Sequence, residues 1–333
     1  MDLKALPKVE LHSHLDCCLS YDAVRRIDPT ISREHYDRHF VAPPKCASLA
    51  DYLAYTLNYR NLLQTDRALR IAVQDVFEQM AVDGIVYAEL RFAPLVHLGG
   101  ALSGDDVVRC VSDETMRQTE ATGIDASLIL CTLRDFEAAQ SLETAHLVER
   151  YAQSGPVAAL DIAGDEVAYP LDPHVPAFEY VQEAGLAVTV HAGEAGGPES
   201  VWEALDKTAT RRIGHGVRSI EDAALLMRLK EEQIHLEVCP TCNVQTNAVS
   251  AFEDHPVDRL YRSGVRVGIS TDTRAVTDVR LTQEYERLRN TFGWTLADFE
   301  QVNRNALDAA FAPDSVKRRV ARTLDKAFAQ VSL

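Results

Sequence analysis

The feature that most limits the fold of this chain is its alternation of short β-rich segments with stretches of helical periodicity. Eight such segments recur, most of them rich in β-branched residues and bounded by turn residues. Strands that alternate with helices favour a parallel sheet, and eight of them indicate a closed α/β barrel of the TIM type, (β/α)8. The predicted strands are 8–14, 85–94, 125–134, 158–166, 187–194, 212–216, 234–240 and 265–272.

The segments between the predicted strands carry the helical signals. Apolar residues fall on one face of 66–83, and Thr65 or Asp66 is available to cap its first turn. Residues 219–230 and 279–292 show the same periodicity. A doubly wound open sheet is the alternative, but no Gly-x-Gly-x-x-Gly turn follows the first strand.

Two parts of the chain exceed a minimal barrel. The segment 28–64 is too long for a simple connection after strand 1, and it includes the helical pattern "SLADYLAYTLNYRNLL". Because loops after barrel strands build the active site, we expect this insertion to form a lid over the barrel mouth, with ordinary packing as the alternative. From about residue 295 the pattern predicts further helices packed against the barrel.

Composition and charge narrow the classes of partner. A chain of 333 residues suits one barrel domain spanning 1–333, since such barrels contain about 250 residues before insertions. The formal net charge of −16 argues against nucleic acid or an anionic membrane as partner. We expect a cytoplasmic protein, because no apolar run approaches a membrane span, the start lacks a signal-peptide pattern, and seven scattered cysteines fit reduced thiols.

Histidine and acidic side chains gather at the predicted strand ends. In a barrel these carboxyl ends meet at one face, where catalytic groups lie. Three imidazoles and one carboxylate suit Zn²⁺ and leave room for a water, whose pKa the metal lowers from about 15.7 towards 7. A carboxylate and a histidine beside the metal can then serve as proton donor and water-orienting base. The residues at the strand ends are His12, His14, His191, Glu194, His215 and Asp272.

Other histidines and cysteines lie outside this group. Cys239 and Cys242 have the spacing of a zinc knuckle, but no second pair lies at knuckle distance, so we expect core or loop thiols. Seven histidines lack a partner at ligand spacing and are expected to be structural. They are His35, His39, His97, His146, His174, His235 and His255.

The motifs at the strand ends resemble those of the adenosine deaminases, a family of the amidohydrolase superfamily. The resemblance runs in order over nearly the whole chain, and the combination of "HSHLD", "HAGE", "GHG" and "STD" is highly specific. It implies a metal-dependent barrel enzyme that replaces the C6 amino group of a purine and releases ammonia. The matching motifs are "PKVELHSHLD", "YAELRFAP", "LDIAGDE", "HAGE", "RIGHGV", "LEVCPTCNVQT" and "STDT".

The resemblance also implies the metal ligands and the acid and base. Glu194 would protonate purine N1 while hydroxide attacks C6, and His215 would orient and deprotonate the attacking water. Strand 4 runs into "DIAGDE" without a metal-bridging lysine, which favours a single metal, although Asp165 or Glu166 could bridge a second. One Zn²⁺ per chain would be bound by His12, His14, His191 and Asp272, the last of which also counts as catalytic.

The expected substrate contacts include departures from the family pattern. Gly164 would offer its backbone N–H to purine N3, Asp16 would hold a ribose hydroxyl, and His14 would border the substrate. Cys17 stands where the family usually has glycine, and Thr273 stands where a second aspartate contacts N7. A threonine hydroxyl can still donate or accept there. These changes concern substrate identity, because neither touches the metal, the acid or the base.

Several substrates therefore stay open. The leading expectation is hydrolytic deamination of adenosine or deoxyadenosine to inosine or deoxyinosine. The nearest alternative is an adenosine substituted at the 5′ position, such as 6-aminodeoxyfutalosine of menaquinone synthesis, whose carboxylate could pair with Arg274 or Arg60. Free adenine is less favoured because Asp16 suggests a sugar, and another zinc hydrolase or a binding protein without turnover are the remaining classes. The expected partner is a purine nucleoside, with a homo-oligomer left open.

Overall fold

The strands of this chain follow one another in sequence order around the molecule. Within residues 2–331, which the computed structural model describes, they are β1 (Lys8–His14), β2 (Ile85–Phe92), β3 (Asp125–Leu133), β4 (Val157–Ala163), β5 (Ala187–Val188), β6 (Val190–Ala192), β7 (Arg212–His215), β8 (His235–Val238) and β9 (Arg266–Ile269). All pair in parallel, in one ladder from β1 to β5 and a second from β6 to β9. β5 and β6 are two halves of the predicted fifth strand.

Backbone hydrogen bonds join the two ladders. Between β5 and β6 the chain continues through Thr189, whose N–H donates to the carbonyl of Leu160 at 2.9 Å. On the other side, the His14 N–H donates to the Asp272 carbonyl at 2.7 Å, and the Asp272 N–H donates to the His12 carbonyl at 3.0 Å. The TIM-type α/β barrel predicted from the sequence is confirmed.

Several strands end earlier than predicted, and two of these ends lie close to site residues. The fifth strand was expected to continue to Glu194 and the eighth to Asp272, but these strands end at Ala192 and Ile269, and Asp272 pairs with β1 through an isolated bridge. The φ of Gly193 is +70° and that of Asp272 is +65°, and a left-handed backbone does not continue a strand. The site residues after these points therefore lie on loops at the carboxyl end of the barrel.

Helices connect the strands and cover the outside of the barrel. They are α1 (Tyr21–Ile27), α2 (Arg33–His39), α3 (Leu49–Leu62), α4 (Asp66–Asp83), α5 (Gly104–Thr122), α6 (Ala138–Ala152), α7 (Val175–Glu183), α8 (Pro198–Thr208), α9 (Ala223–Glu231), α10 (Pro240–Gln245), α11 (Val257–Arg262), α12 (Leu281–Phe292), α13 (Leu296–Ala309) and α14 (Asp314–Val331). None of the helices within the described residues is long and apolar enough to cross a membrane.

Local capping explains where these helices begin. The Thr65 hydroxyl accepts the Ala68 N–H, so α4 starts at the predicted residue, and it ends at Gly84 with φ +73°. The predicted helix 219–230 instead begins after Asp222, because this carboxylate accepts the first free N–H groups of α9.

The insertion and the C-terminal helices take the predicted positions. Leu53 and Leu57 of α3 line a cavity at the barrel mouth, while Tyr52 and Tyr59 on the same helix are buried. On the outside of the barrel, the Asn303 side chain of α13 accepts the N–H of Val9 in β1 at 2.7 Å, which fixes this helix against the first strand.

Candidate active site and metal centre

A cavity of about 460 Å³ opens at the carboxyl ends of the barrel strands. Five of the six residues predicted at the strand ends line its floor. The sixth, His12, lies fully buried behind them. One wall is formed by α3 and another by the loop after β4, with Ala168 and Tyr169. The cavity therefore brings the predicted site residues together under the inserted helix.

Four side chains converge on one point of this floor. One ligand atom from each lies within 4.8 Å of the others. The Asp272 Oδ1 atom is 3.3 Å from Nε2 of His12 and 3.3 Å from Nε2 of His14, and the Nε2 atoms of His14 and His191 are 3.1 Å apart. Tetrahedral ligand atoms at zinc distances of about 2.0–2.2 Å would lie about 3.3 Å from each other. The donor set and its spacing fit a metal ion such as Zn²⁺.

The electrostatics of the cluster also suit a cation. Burial lowers the pKa of His12 well below its usual value and that of His14 to about 4, so both imidazoles are neutral ligands at pH 7. Burial alone would raise the pKa of Asp272, but the neighbouring His12 and His14 hold it well below its usual range. His12 Nε2 is buried and, despite the nearby carboxylate, has no partner in hydrogen-bond geometry. A metal ion would satisfy this atom.

Buried carboxylates fix the orientation of two of these histidines. Nδ1 of His12 lies 2.9 Å from Oε2 of Glu237, and Nδ1 of His191 lies 3.1 Å from Oδ1 of Asp161. Both carboxylates are held by Arg91, whose guanidinium is 2.5 Å from Glu237 and 2.6 Å from Asp161. With an acceptor at each Nδ1, the proton stays there and Nε2 faces the cluster.

The carboxylate of the four-residue cluster is oriented by a cysteine. The Cys242 thiol donates to Oδ2 of Asp272 at 2.7 Å, which leaves Oδ1 facing the histidines. Burial raises the pKa of this thiol well above its usual value, so it remains a donor. Cys239 is buried beside it, and neither belongs to the four-residue cluster found among residues 2–331.

The predicted acid and base lie beside the cluster. Oε2 of Glu194 is 3.5 Å from Nε2 of His215, and its Oε1 accepts from Asn243 Nδ2 at 3.0 Å and from the Thr246 hydroxyl at 2.9 Å. Burial, followed by the charge of Asp272, raises the pKa of Glu194 to about 8, and burial lowers the pKa of His215. At pH 7 the carboxyl holds a proton and the imidazole is neutral.

The loop that carries Glu194 is held by a second carboxylate. Glu166 accepts the N–H groups of Gly193 at 2.9 Å, Glu194 at 2.7 Å and Gly196 at 2.8 Å. Its oxygens are thus engaged by the loop, and Glu166 is not part of the four-residue cluster found among residues 2–331. Asp165 accepts two N–H groups of its own loop instead.

The backbone is unusual at two site residues. His215 and Asp272 both have φ of +65°, a left-handed conformation that costs about 1–3 kcal/mol for non-glycine residues and is enriched at active sites. The residue before His215 is Gly214, where a Cβ would lie 3.0 Å from Cε1 of His12. A larger residue there would crowd this imidazole, which would have to give way by a few tenths of an ångström.

The residues expected to contact substrate all line the cavity, with their polar groups engaged to different degrees. Asp16 accepts the Ala93 N–H at 3.2 Å and lies 3.4 Å from Nε2 of His97, a histidine that the sequence had suggested was only structural. Gly164 follows β4 with φ +111°. The Thr273 hydroxyl bonds to the Tyr52 hydroxyl, so α3 touches the position of the family's second aspartate.

The two arginines considered for an acidic substrate differ in position. Arg274 is buried and pairs with Glu10 at 2.5 Å and Asp83 at 3.2 Å, away from the cavity lining. The expectation that it could reach a substrate carboxylate is therefore not supported by its position. Arg60 does line the cavity, and its guanidinium has no hydrogen-bond or ion-pair partner among residues 2–331.

Comparisons with known proteins agree with this site. The sequence model of the family described as adenosine deaminase matches residues 7–327. The chain is 32% identical to an adenosine deaminase of Clostridium acetobutylicum, over 96% of this chain and 97% of that protein. It is 35% identical to one from Streptococcus agalactiae, over 95% and 94%. A solved adenine deaminase of Arthrobacter aurescens superposes with a TM-score of 0.89 and 26% identity, over 99% and 100%.

Proposed function

This chain belongs to the adenosine deaminase family, and from that premise we propose that it hydrolyses adenosine and deoxyadenosine to inosine or deoxyinosine and ammonia. The observation that carries the proposal is the placement of Glu194 and His215 beside the four-residue cluster in one cavity. An acid next to an activated water is what hydrolysis of an amidine requires.

We propose that one Zn²⁺ is held by His12, His14, His191 and Asp272. A bound zinc ion would make water a nucleophile at neutral pH. The spacing of the four ligand atoms and the lone buried Nε2 of His12 support this assignment.

Glu194 is the proton donor in this proposal. Its pKa of about 8 keeps it protonated at pH 7, and it faces the cavity, so it can protonate purine N1 and make C6 electrophilic. His215 lies beside it and positions the attacking water. The residues proposed for binding the nucleoside are His14, Asp16, Gly164 and Thr273, all of which line the same cavity.

The test is an ultraviolet absorbance assay on the zinc-loaded protein with adenosine, deoxyadenosine and adenine side by side. We expect rapid loss of the adenine-type absorbance with both nucleosides, and none with the Glu194→Gln variant at equal metal content. Turnover of adenine alone would identify the free base as the substrate. No turnover of any purine would refute the proposal.

Adenine is the base named for the solved neighbour at 26% identity. The position of Asp16 tells against it here, because this carboxylate lines the cavity and a free base has no hydroxyl to offer it. Asp16→Asn should lower kcat/KM for adenosine much more than for adenine. Equal losses for the two substrates would remove the argument for a sugar.

A second candidate substrate is favoured by Arg60. Among the residues that line the cavity it is the one arginine or lysine, and it lies on the same face of α3 as Leu53 and Leu57. We propose that an adenosine extended at the 5′ position by an apolar, acidic group, such as 6-aminodeoxyfutalosine, could use this face. Arg60→Gln should then slow this compound and spare adenosine, while Arg67→Gln, exposed on α4, should change neither.

The state of the cysteines indicates the kind of cellular compartment. All seven cysteines are free and buried, which suits a reducing compartment, and we propose the cytoplasm.

A further inference from the structure

A line of hydrogen bonds leads from the backbone of α11 to the proposed acid. The Val257 N–H donates to Nδ1 of His255 at 3.1 Å, and Nε2 of that imidazole lies 3.3 Å from Oδ1 of Asn243. The amide Nδ2 of Asn243 then lies 3.0 Å from Oε1 of Glu194 and 3.1 Å from Nδ1 of His215. His255 and Asn243 are fully buried, so no solvent competes for these contacts.

The Val257 N–H fixes the direction of every hydrogen bond in this line. A backbone N–H can only donate, so Nδ1 of His255 must accept. A neutral imidazole with an accepting Nδ1 carries its proton on Nε2, and burial lowers the pKa of His255 to about 3, which keeps it neutral. Its Nε2–H therefore donates to Oδ1 of Asn243, and the NH₂ of the amide must face Glu194 and His215.

The orientation of this amide places two protons in the site. Oε1 of Glu194 receives one N–H of Asn243 and the hydroxyl of Thr246, so the proton of the neutral carboxyl stays on Oε2. The other amide N–H points at Nδ1 of His215, which must accept it. Neutral His215 then carries its proton on Nε2, the nitrogen 3.5 Å from Oε2 of Glu194.

We propose that Asn243 and His255 are positioning residues that hold the acidic proton on Oε2 of Glu194 and the His215 proton on Nε2. This rests on the proposed function for the roles of the acid and the water. In the resting enzyme, His215 offers a hydrogen-bond donor and not a lone pair at Nε2. It therefore orients the water by donating, whereas removal of a proton from the water, also expected from the sequence, would need the tautomer with a bare Nε2.

The first test reads the tautomer directly on the zinc-loaded enzyme. With ¹⁵N-labelled histidine, a long-range ¹H–¹⁵N correlation spectrum distinguishes protonated from bare ring nitrogens, and the His215 signals are assigned by their loss in His215→Gln. We expect a protonated Nε2 and a bare Nδ1. A protonated Nδ1 would overturn the proposal. This result does not depend on turnover, so it stands or fails separately from the assignment of adenosine as substrate.

The second test removes the far end of the line. His255→Leu should lower kcat for adenosine about tenfold to a hundredfold, a part of the usual contribution of a general acid, with KM changed less than about threefold. The His215 signals should no longer report one tautomer. His255→Gln, whose amide can donate to Asn243, should recover part of both.

The matched control is His235→Leu. His235 is equally buried, lies in β8, and neither of its ring nitrogens has a hydrogen-bond partner among the described residues. The His235→Leu variant should have the same kcat and the same His215 signals as the unchanged enzyme. Equal losses of kcat in the His255 and His235 variants would overturn the positioning role. If His255→Leu fails to fold, the proposal is still tested by the His215 tautomer of the unchanged enzyme and by the kcat of the His255→Gln variant.

Discussion

Replacement of Arg91 tests most directly whether the buried carboxylates orient the proposed metal ligands. The Arg91 guanidinium joins Glu237 and Asp161, and each of these carboxylates holds one metal-site histidine by its Nδ1. All three charged groups are fully buried. Arg91→Leu removes the cation between the two carboxylates, so that their repulsion is less well compensated, and it also frees both histidines to turn.

The expected cost follows from the remaining partners. Arg212 still pairs with Glu237 at 2.5 Å, so most of the unbalanced charge falls on Asp161. Loss of one partner of a buried ion pair typically costs about 3–5 kcal/mol in the free energy of unfolding. Loss of the groups that orient metal ligands typically costs about 10–100-fold in metal affinity. We expect Arg91→Leu to show both losses.

Arg91→Lys distinguishes the effect on stability from the effect on zinc affinity. A lysine retains the charge but is a compact cation that cannot hold two carboxylates in the fixed fork of a guanidinium. It should recover much of the stability and still bind zinc about tenfold more weakly. The control is Lys8→Met, which removes another buried cation, one whose ammonium contacts backbone carbonyls near the start of β1, and should leave zinc affinity unchanged.

The assays are urea unfolding of the metal-free proteins and competition of each folded protein with a chromogenic chelator for Zn²⁺. If Arg91→Leu and Arg91→Lys bind zinc as tightly as the unchanged protein, the argument that Arg91 orients the histidines through their carboxylates is wrong. The same would follow if Lys8→Met weakened zinc binding to the same extent.

Three further predictions concern the site itself. Glu194→Gln should keep zinc and lose turnover, whereas His12→Ala should lose both, as metal analysis and the absorbance assay would show; near-normal activity of Glu194→Gln would contradict its role as acid. Because burial raises the pKa of Glu194 to about 8 and the protonated form is the active one, kcat/KM should be level below pH 8 and fall as pH rises through it; a level profile to pH 10 would contradict this. Thr273→Val should raise KM for adenosine with a smaller effect on kcat, since it removes a hydroxyl near the substrate but leaves acid and metal in place; an unchanged KM would place N7 elsewhere.

The sequence predicted the barrel and the metal-site residues for physical reasons that are local. β-branched runs between helical periods set the strand count, and a ligand at the end of a strand must reach the shared face of a barrel. Strand ends were less well predicted, because a positive φ at Asp272 depends on what the residue touches there.

Other residues of the site could not be found from the sequence. Arg91 and Glu237 are 146 positions apart, so nothing in the sequence near either one signals their contact. His255 looked structural because it has no partner at ligand spacing, and its role depends on Asn243, which faces it across a loop. The asparagine within the matching motif "LEVCPTCNVQT" was the one local signal for Asn243.

Two separate networks hold the proposed metal ligands and the proposed acid, and α10 contacts both groups of residues. The carboxylates around Arg91 orient His12 and His191, whereas the line from His255 sets the protons of the acid. Consecutive residues of α10 contact both parts of the site, since Cys242 donates to Asp272 and Asn243 donates to Glu194 and His215. The register of this short helix therefore fixes the metal carboxylate relative to the acid. Changes at Arg91 should act on metal affinity and changes at His255 on proton position, and only a shift of α10 itself should disturb both.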